Sequence, residues 1–170
     1  MGGGRVLRTV RTGISPTQPT QHYCPTWVNF KMKHTLAIVL GTQTSWAVHT
    51  RKDGILSGTV DFPLRAEDHA AIRWIAFRDW LSSLLNTHNI HDVFVEMTTP
   101  SGTDAAKVYG AFHALLEIAC YTHGCSMTEV EAGTTGNFPT DGTQENTPGS
   151  RVIAILHYGL SLNQADQQDT

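Results

Sequence analysis

Residues 35–61 read TLAIVLGTQTSWAVHTRKDGILSGTVD, and this stretch decides the fold. Thr35–Leu40 is a short apolar run of the kind that forms a buried strand. Gly41-Thr42-Gln43-Thr44 is a turn. Ser45–Thr50 and Ile55–Asp61 are two further strands, joined by Arg51-Lys52-Asp53-Gly54. Asp-Gly between two strand-like runs is a hairpin signal, because glycine accepts the positive φ that such turns require. The domain therefore opens with an antiparallel meander of three strands.

Beyond the meander the hydrophobic period changes from two to 3.6. Glu67–Leu85 predicts a helix with Ile72, Ile75, Ala76, Trp80, Leu81, Leu84 and Leu85 near one face. Asp92–Glu96 is a fourth strand. Thr103–His123 is a second helix carrying Ala106, Tyr109, Gly110, His113, Leu116 and Cys120 at helical spacing, with Gly124 as its C-cap. Cys125–Glu131 is a fifth strand. Ala132–Thr147 is rich in Gly, Thr and Asn and reads as a long mobile loop. Thr147-Pro148 fits an N-cap followed by a first helical residue, so Pro148–Tyr158 opens a third helix. Ala165–Thr170 reads as the start of another helix that stops short. Three antiparallel strands followed by strand–helix alternation imply an α/β domain: a mixed five-stranded sheet with helices packed on it.

Composition bounds the possibilities. A chain of 170 residues is long enough for one domain with a hydrophobic core. Its 40% hydrophobic and 16% charged residues are those of a globular protein. No apolar run approaches the ~18 residues of a membrane helix, and the N-terminus lacks the pattern of a secretory signal. Three cysteines, Cys24, Cys120 and Cys125, form no C-x-x-C pair, which argues against a disulfide framework and a zinc site and makes a reducing cytoplasm the default. Residues 1–31 are rich in Gly, Thr, Pro and Gln and read as a disordered extension. Met32 would then be a natural start, and 32–170 the folded domain. The net charge of −3 does not favour a nucleic-acid binder. Charge is uneven, however: Arg5, Arg8, Arg11, Lys31 and Lys33 all precede the first acidic residue, Asp53.

Two segments carry a specific resemblance. Leu36–Val48, LAIVLGTQTSWAV, followed by Ser57-Gly58-Thr59-Val60-Asp61-Phe62, resembles the opening hairpin of phage-type RuvC-like Holliday-junction resolvases, which reads L-A-L-D-L-G-T-x-T-G-W-A. Gly102-Thr103-Asp104-Ala105-Ala106-Lys107-Val108-Tyr109-Gly110 is similar to the helix that follows the second catalytic strand of those proteins. The resemblance covers residues 34–131, with a weaker tail beyond. It implies a ribonuclease H-like fold and a metal-dependent endonuclease that cuts branched DNA as a homodimer, encoded by a phage or prophage and acting in the cytoplasm of a bacterial host. Such sites hold two Mg²⁺ ions roughly 4 Å apart on carboxylates.

Several positions depart from the family's pattern. Its first-strand Asp falls on Val39, which offers no ligand, and Gly41-Thr42 fixes that register. The Glu of the fourth strand falls on Val95 when counted back from Asp104, and on Glu96 after a slip of one residue. Adjacent strand residues face opposite sides, so only one can serve. Glu96 is then either a ligand or a residue facing solvent or a helix. The resemblance implies an Asp pair on the last helix. Asp166 and Asp169, at i and i+3, are that pair in one alignment; in another the final Asp falls beyond Thr170, and the last helix is incomplete. The catalytic and metal set implied is thus Glu96, Asp166 and Asp169, with Val39 and Val95 as lost positions. Thr42, Thr44, Thr134, Asn137 and Arg151 are the expected DNA contacts. Gly133-Thr134-Thr135-Gly136-Asn137 keeps the start of the family's G-T-x-K-K loop and loses its lysines, which weakens phosphate contacts.

Two functional classes follow: a metal-dependent junction endonuclease, and a catalytically inactive relative that binds junctions or a protein. A hairpin shared with the sugar-kinase and actin-like group has no place for Gly102–Gly110, and the ribosomal-RNA maturation nucleases fit that block poorly.

Overall fold

The computed structural model describes residues 33–133 and 147–165. Its order is β1 (Thr35–Val39), β2 (Gln43–Thr50), β3 (Gly54–Asp61), α1 (Ala71–His88), β4 (Asp92–Met97), α2 (Thr103–His123), β5 (Ser126–Glu131) and α3 (Pro148–Ala165). The five strands form one sheet in the order β3-β2-β1-β4-β5. The meander pairs antiparallel, and β4 and β5 add in parallel beside β1. This is the mixed sheet that the sequence predicts.

Alternation along the strands gives the sheet two covered faces. Leu36, Ile38, Leu40, Val48, Val93 and Val95 face α1 and α2 and join the larger core. Ala37, Val39, Ala47, Phe94 and Val130 face α3, against Val152, Ile155 and Leu156. Phe77 of α1 stacks on Phe112 of α2 with ring centroids 3.9 Å apart, and Phe62 meets both edge-on. Aromatic side chains thus lock the helices together above the sheet.

The buried helix faces match those read in the sequence in part: Leu81, Leu84 and Leu85 of α1 and Leu116 and Cys120 of α2 are buried as expected, and others differ. In α1 the buried residues are Phe77, Leu81, Leu84 and Leu85, while Ile72 and Ile75 are exposed. The helix starts at Ala71, later than predicted, because Arg65–Asp68 is closed into a turn in which the Asp68 carboxylate accepts the Arg65 N–H. In α2 the face is Val108, Phe112, Leu116, Ala119 and Cys120. Ala106 and Gly110 are exposed, and a Cβ at Gly110 would meet nothing within 4 Å in this chain. Gly124 does cap α2, with φ of 69°. Pro148–Tyr158 does open α3, and the helix runs unbroken from Pro148 to Ala165. Leu156 and Gly159 continue its buried face past Tyr158.

Candidate functional site

The pairing of β1 with β4 ends at Ile38–Val95, and the next residues along the two strands are Val39 and Glu96. Both turn toward α3. Across the sheet at this level stand Thr59, Ser45, Val39, Glu96 and Val130, joined by the pairings Ser45–Thr59, Val39–Ser45 and Glu96–Val130. Val95 points the other way, into the core beneath α1 and α2. The parity of the strand, which the sequence left open by one residue, therefore puts Glu96 and Val39 on one face.

Glu96 does not face solvent. It is 2% exposed. A carboxylate this deep requires a compensating charge. Arg151, on the first turns of α3, supplies it: Nε donates to Oε1 at 3.1 Å and Nη2 donates to Oε2. The backbone holds the arginine there. Thr147 caps α3, its Oγ1 accepting the Ser150 N–H at 3.3 Å, and its carbonyl accepts the Arg151 N–H at 3.0 Å. From the α2 side the Tyr109 hydroxyl donates to the Glu96 carbonyl at 3.3 Å.

A second buried carboxylate, Asp92, stands four residues earlier on β4 and on the same face. It accepts from Ser126 Oγ at 2.5 Å, from Asn163 Nδ2 at 3.2 Å and from Lys33 Nζ at 3.4 Å. Asn163 belongs to the far end of α3. One strand thus pins one helix at both ends, through Glu96–Arg151 and Asp92–Asn163. Sequence reasoning missed both links. The available signal was indirect: each carboxylate sits in an otherwise apolar strand.

The other expected site residues disperse. Thr42 is exposed in the turn between β1 and β2. Thr44, expected at DNA, is buried instead, and its hydroxyl donates to the Gly41 carbonyl at 2.7 Å, which closes the turn. Arg151 was expected at DNA, and two of its three guanidinium nitrogens are directed at Glu96. Thr134, Asn137, Asp166 and Asp169 lie outside the described residues. Trp46 packs against the larger core, over Gly58, where a Cβ would lie 3.1 Å from the indole. His91 and His88 serve His34: the His91 Nδ1 accepts the His34 N–H, and the His34 ring bonds the His88 carbonyl.

The described residues do not by themselves supply the Mg²⁺ pair that the resemblance implies. Hard Mg²⁺ takes several oxygen ligands. Among the described residues no three His, Cys, Asp or Glu side chains come together in a way that could hold a metal ion. At the level of Val39 the sheet offers one carboxylate, and both of its oxygens face a guanidinium.

A mixed five-stranded sheet with antiparallel β1–β3, parallel β4 and β5, and helices on both faces is the ribonuclease H-like fold. Two solved structures of RuvC from Thermus thermophilus share it. One, in complex with a Holliday junction substrate, matches with a TM-score of 0.59 and 12% identity over 79% of this chain and 96% of that one. The other matches with a TM-score of 0.60 and 13% identity over 78% and 96%. At such identities the likeness is one of fold. No protein-family model and no curated protein matches the sequence. Among the described residues no helix is long and apolar enough to cross a membrane.

Proposed function

We propose that this chain is a non-catalytic relative of the RuvC-like resolvases that binds branched DNA. One observation carries the reading. At one of the two positions on which the resemblance can place a metal-bound carboxylate, Glu96 is sealed against Arg151 and flanked by Val39. A nuclease of this class needs carboxylate oxygens open to cations; here the oxygens are already neutralised. Hydrolysis through Glu96, Asp166 and Asp169 would first have to break a buried ion pair, which is costly.

Binding makes smaller demands. Thr42 is exposed beside the strand ends and can donate to a phosphate, and the resemblance adds Thr134 and Asn137 from the loop after β5. A four-way junction has two-fold symmetry, and a homodimer would match it with one symmetry operator. Phage or prophage origin and a cytoplasmic site of action belong to the same reading.

The test is a gel shift and cleavage assay on a synthetic four-way junction, with a linear duplex of equal length beside it, in Mg²⁺ and in Mn²⁺. The junction is retarded in preference to the duplex and stays intact. Paired symmetric nicks from the unaltered chain would refute the non-catalytic reading. Equal retardation of both DNAs would remove the junction from it.

A further inference from the structure

The ion pair at the end of α3 is built asymmetrically. The Glu96 side chain is 3% exposed and that of Arg151 is 28% exposed. The carboxylate is closed in, while the guanidinium reaches the surface. Pairing through Nε and Nη2 leaves Nη1 over, and among the described residues it has no acceptor. A guanidinium remains protonated at any pH a protein meets. The arrangement is therefore a fixed positive charge, held by a buried carboxylate, on a side chain that is partly exposed and keeps Nη1 outside the pair.

A divalent cation at this level of the sheet would need the same two oxygens of Glu96. The guanidinium competes for them, because like charges would stand within a few ångströms in a poorly solvated place. Val39 beside the pair contributes an isopropyl group and no competing oxygen. Loss of one ligand at Val39 and supply of one cation by Arg151 are thus complementary: the first removes a negative charge that a metal would need, and the second neutralises the one that remains.

We infer that Arg151 is a resident cation in place of a divalent metal, and that its free edge holds a phosphodiester, so that the site takes DNA phosphate without metal. The ligand rests on the reading proposed above; the replacement of metal does not. Guanidinium suits this task, since its planar fork can hold a carboxylate on one edge and a phosphate on another. It has no water to activate, so it binds a phosphodiester without attacking it.

One consequence separates this inference from simple loss of a ligand. If only Val39 were at fault, Val39→Asp would restore metal binding. With Arg151 in place, the new carboxylate instead gains the guanidinium as partner, and two changes are needed rather than one.

The experiment titrates Mn²⁺ into the full-length chain and follows the loss of the free-ion electron paramagnetic resonance signal. The proteins are wild type, Val39→Asp and Val39→Asp with Arg151→Ser, each checked for folding by circular dichroism. Wild type and Val39→Asp should leave the signal unchanged, and the double variant should take up Mn²⁺. Uptake by wild type or by Val39→Asp overturns the inference, as does a folded double variant that takes up none. Should the double variant fail to fold, the first two titrations still decide it. In parallel, wild type is titrated onto a four-way junction in EDTA and in Mg²⁺. The two Kd values should agree within about twofold, and Arg151→Gln should weaken binding about tenfold in both (about 1.4 kcal/mol is a factor of ten). A strict need for Mg²⁺, or an unchanged Kd for Arg151→Gln, overturns the phosphate role. No junction binding by wild type in either buffer removes the proposed function instead, and the Mn²⁺ titration then judges the replacement of metal by itself.

Discussion

Replacing Arg151 by Met would leave the Glu96 carboxylate buried beside Val39 and Phe94 with no counter-ion. Breaking a buried pair in this way costs about 3–5 kcal/mol. Urea denaturation should show that loss for Arg151→Met. Glu96→Gln combined with Arg151→Met should fall within about 1–2 kcal/mol of wild type, because removing both charges also removes the desolvation cost. A non-additive result of this kind would identify the pair as one unit. Cys120 offers a second test. Burial, and after it the nearby Cys125 thiol, pushes its pKa up from 9.0 to about 12. An acid whose folded pKa is raised keeps its proton longer than the unfolded chain does, so the folded state is favoured below pH 9 and loses that advantage as pH rises toward 12. Thermal melts should therefore fall between pH 9 and 12, less so for Cys120→Ala than for wild type. Iodoacetamide at pH 8 should spare Cys120, because the thiolate is the reactive form.

Among the elements, α3 depends most visibly on close approach. A Cβ on Gly159 would lie 2.5 Å from the Phe94 ring, so the helix can rest on β4 only where it has no side chain. Gly159→Ala should destabilise by about 1–3 kcal/mol despite its better helix propensity; a neutral or stabilising result in denaturant would mean that Phe94 can move aside. The other end of the helix is tied through Asn163 to Asp92, and Asp92→Ala should cost about 1.5–3 kcal/mol by orphaning the donors of Ser126, Asn163 and Lys33. Hydrogen exchange should then rise in the last turns of α3 before it rises in α2. Helix position was legible in the sequence, but helix face was less so. Ile72 and Ile75 made one side of α1 look buried, yet the aromatic pair Phe77–Phe112 sets its rotation. Periodicity reports only which residues are apolar. Which apolar side is covered depends on the neighbour, and α2 is a neighbour from another part of the chain.

Over the whole molecule, a net charge of −3 and the scarcity of lysine bear on the binding proposal. Few phosphate contacts release few counter-ions, so log K for the junction should fall with log salt on a shallow slope of about −2 to −4. A slope near zero would argue for a protein partner in place of DNA. Sedimentation of the free chain tests the homodimer. The order of strands and helices was readable from the sequence alone, because alternation, Asp-Gly, Gly124 and Thr147-Pro148 are local signals with local causes. So was the absence of a carboxylate at Val39. What required the tertiary structure was the state of Glu96. A slip of one residue turns a strand side chain to the opposite face, and only the pairing of β1 with β4 settled that Glu96, and not Val95, stands beside Val39. The partner of Glu96 lies 55 positions away on α3. No local pattern encodes such a contact; it exists because a helix folded back across the sheet and brought a guanidinium to a carboxylate that could not remain buried and charged without one.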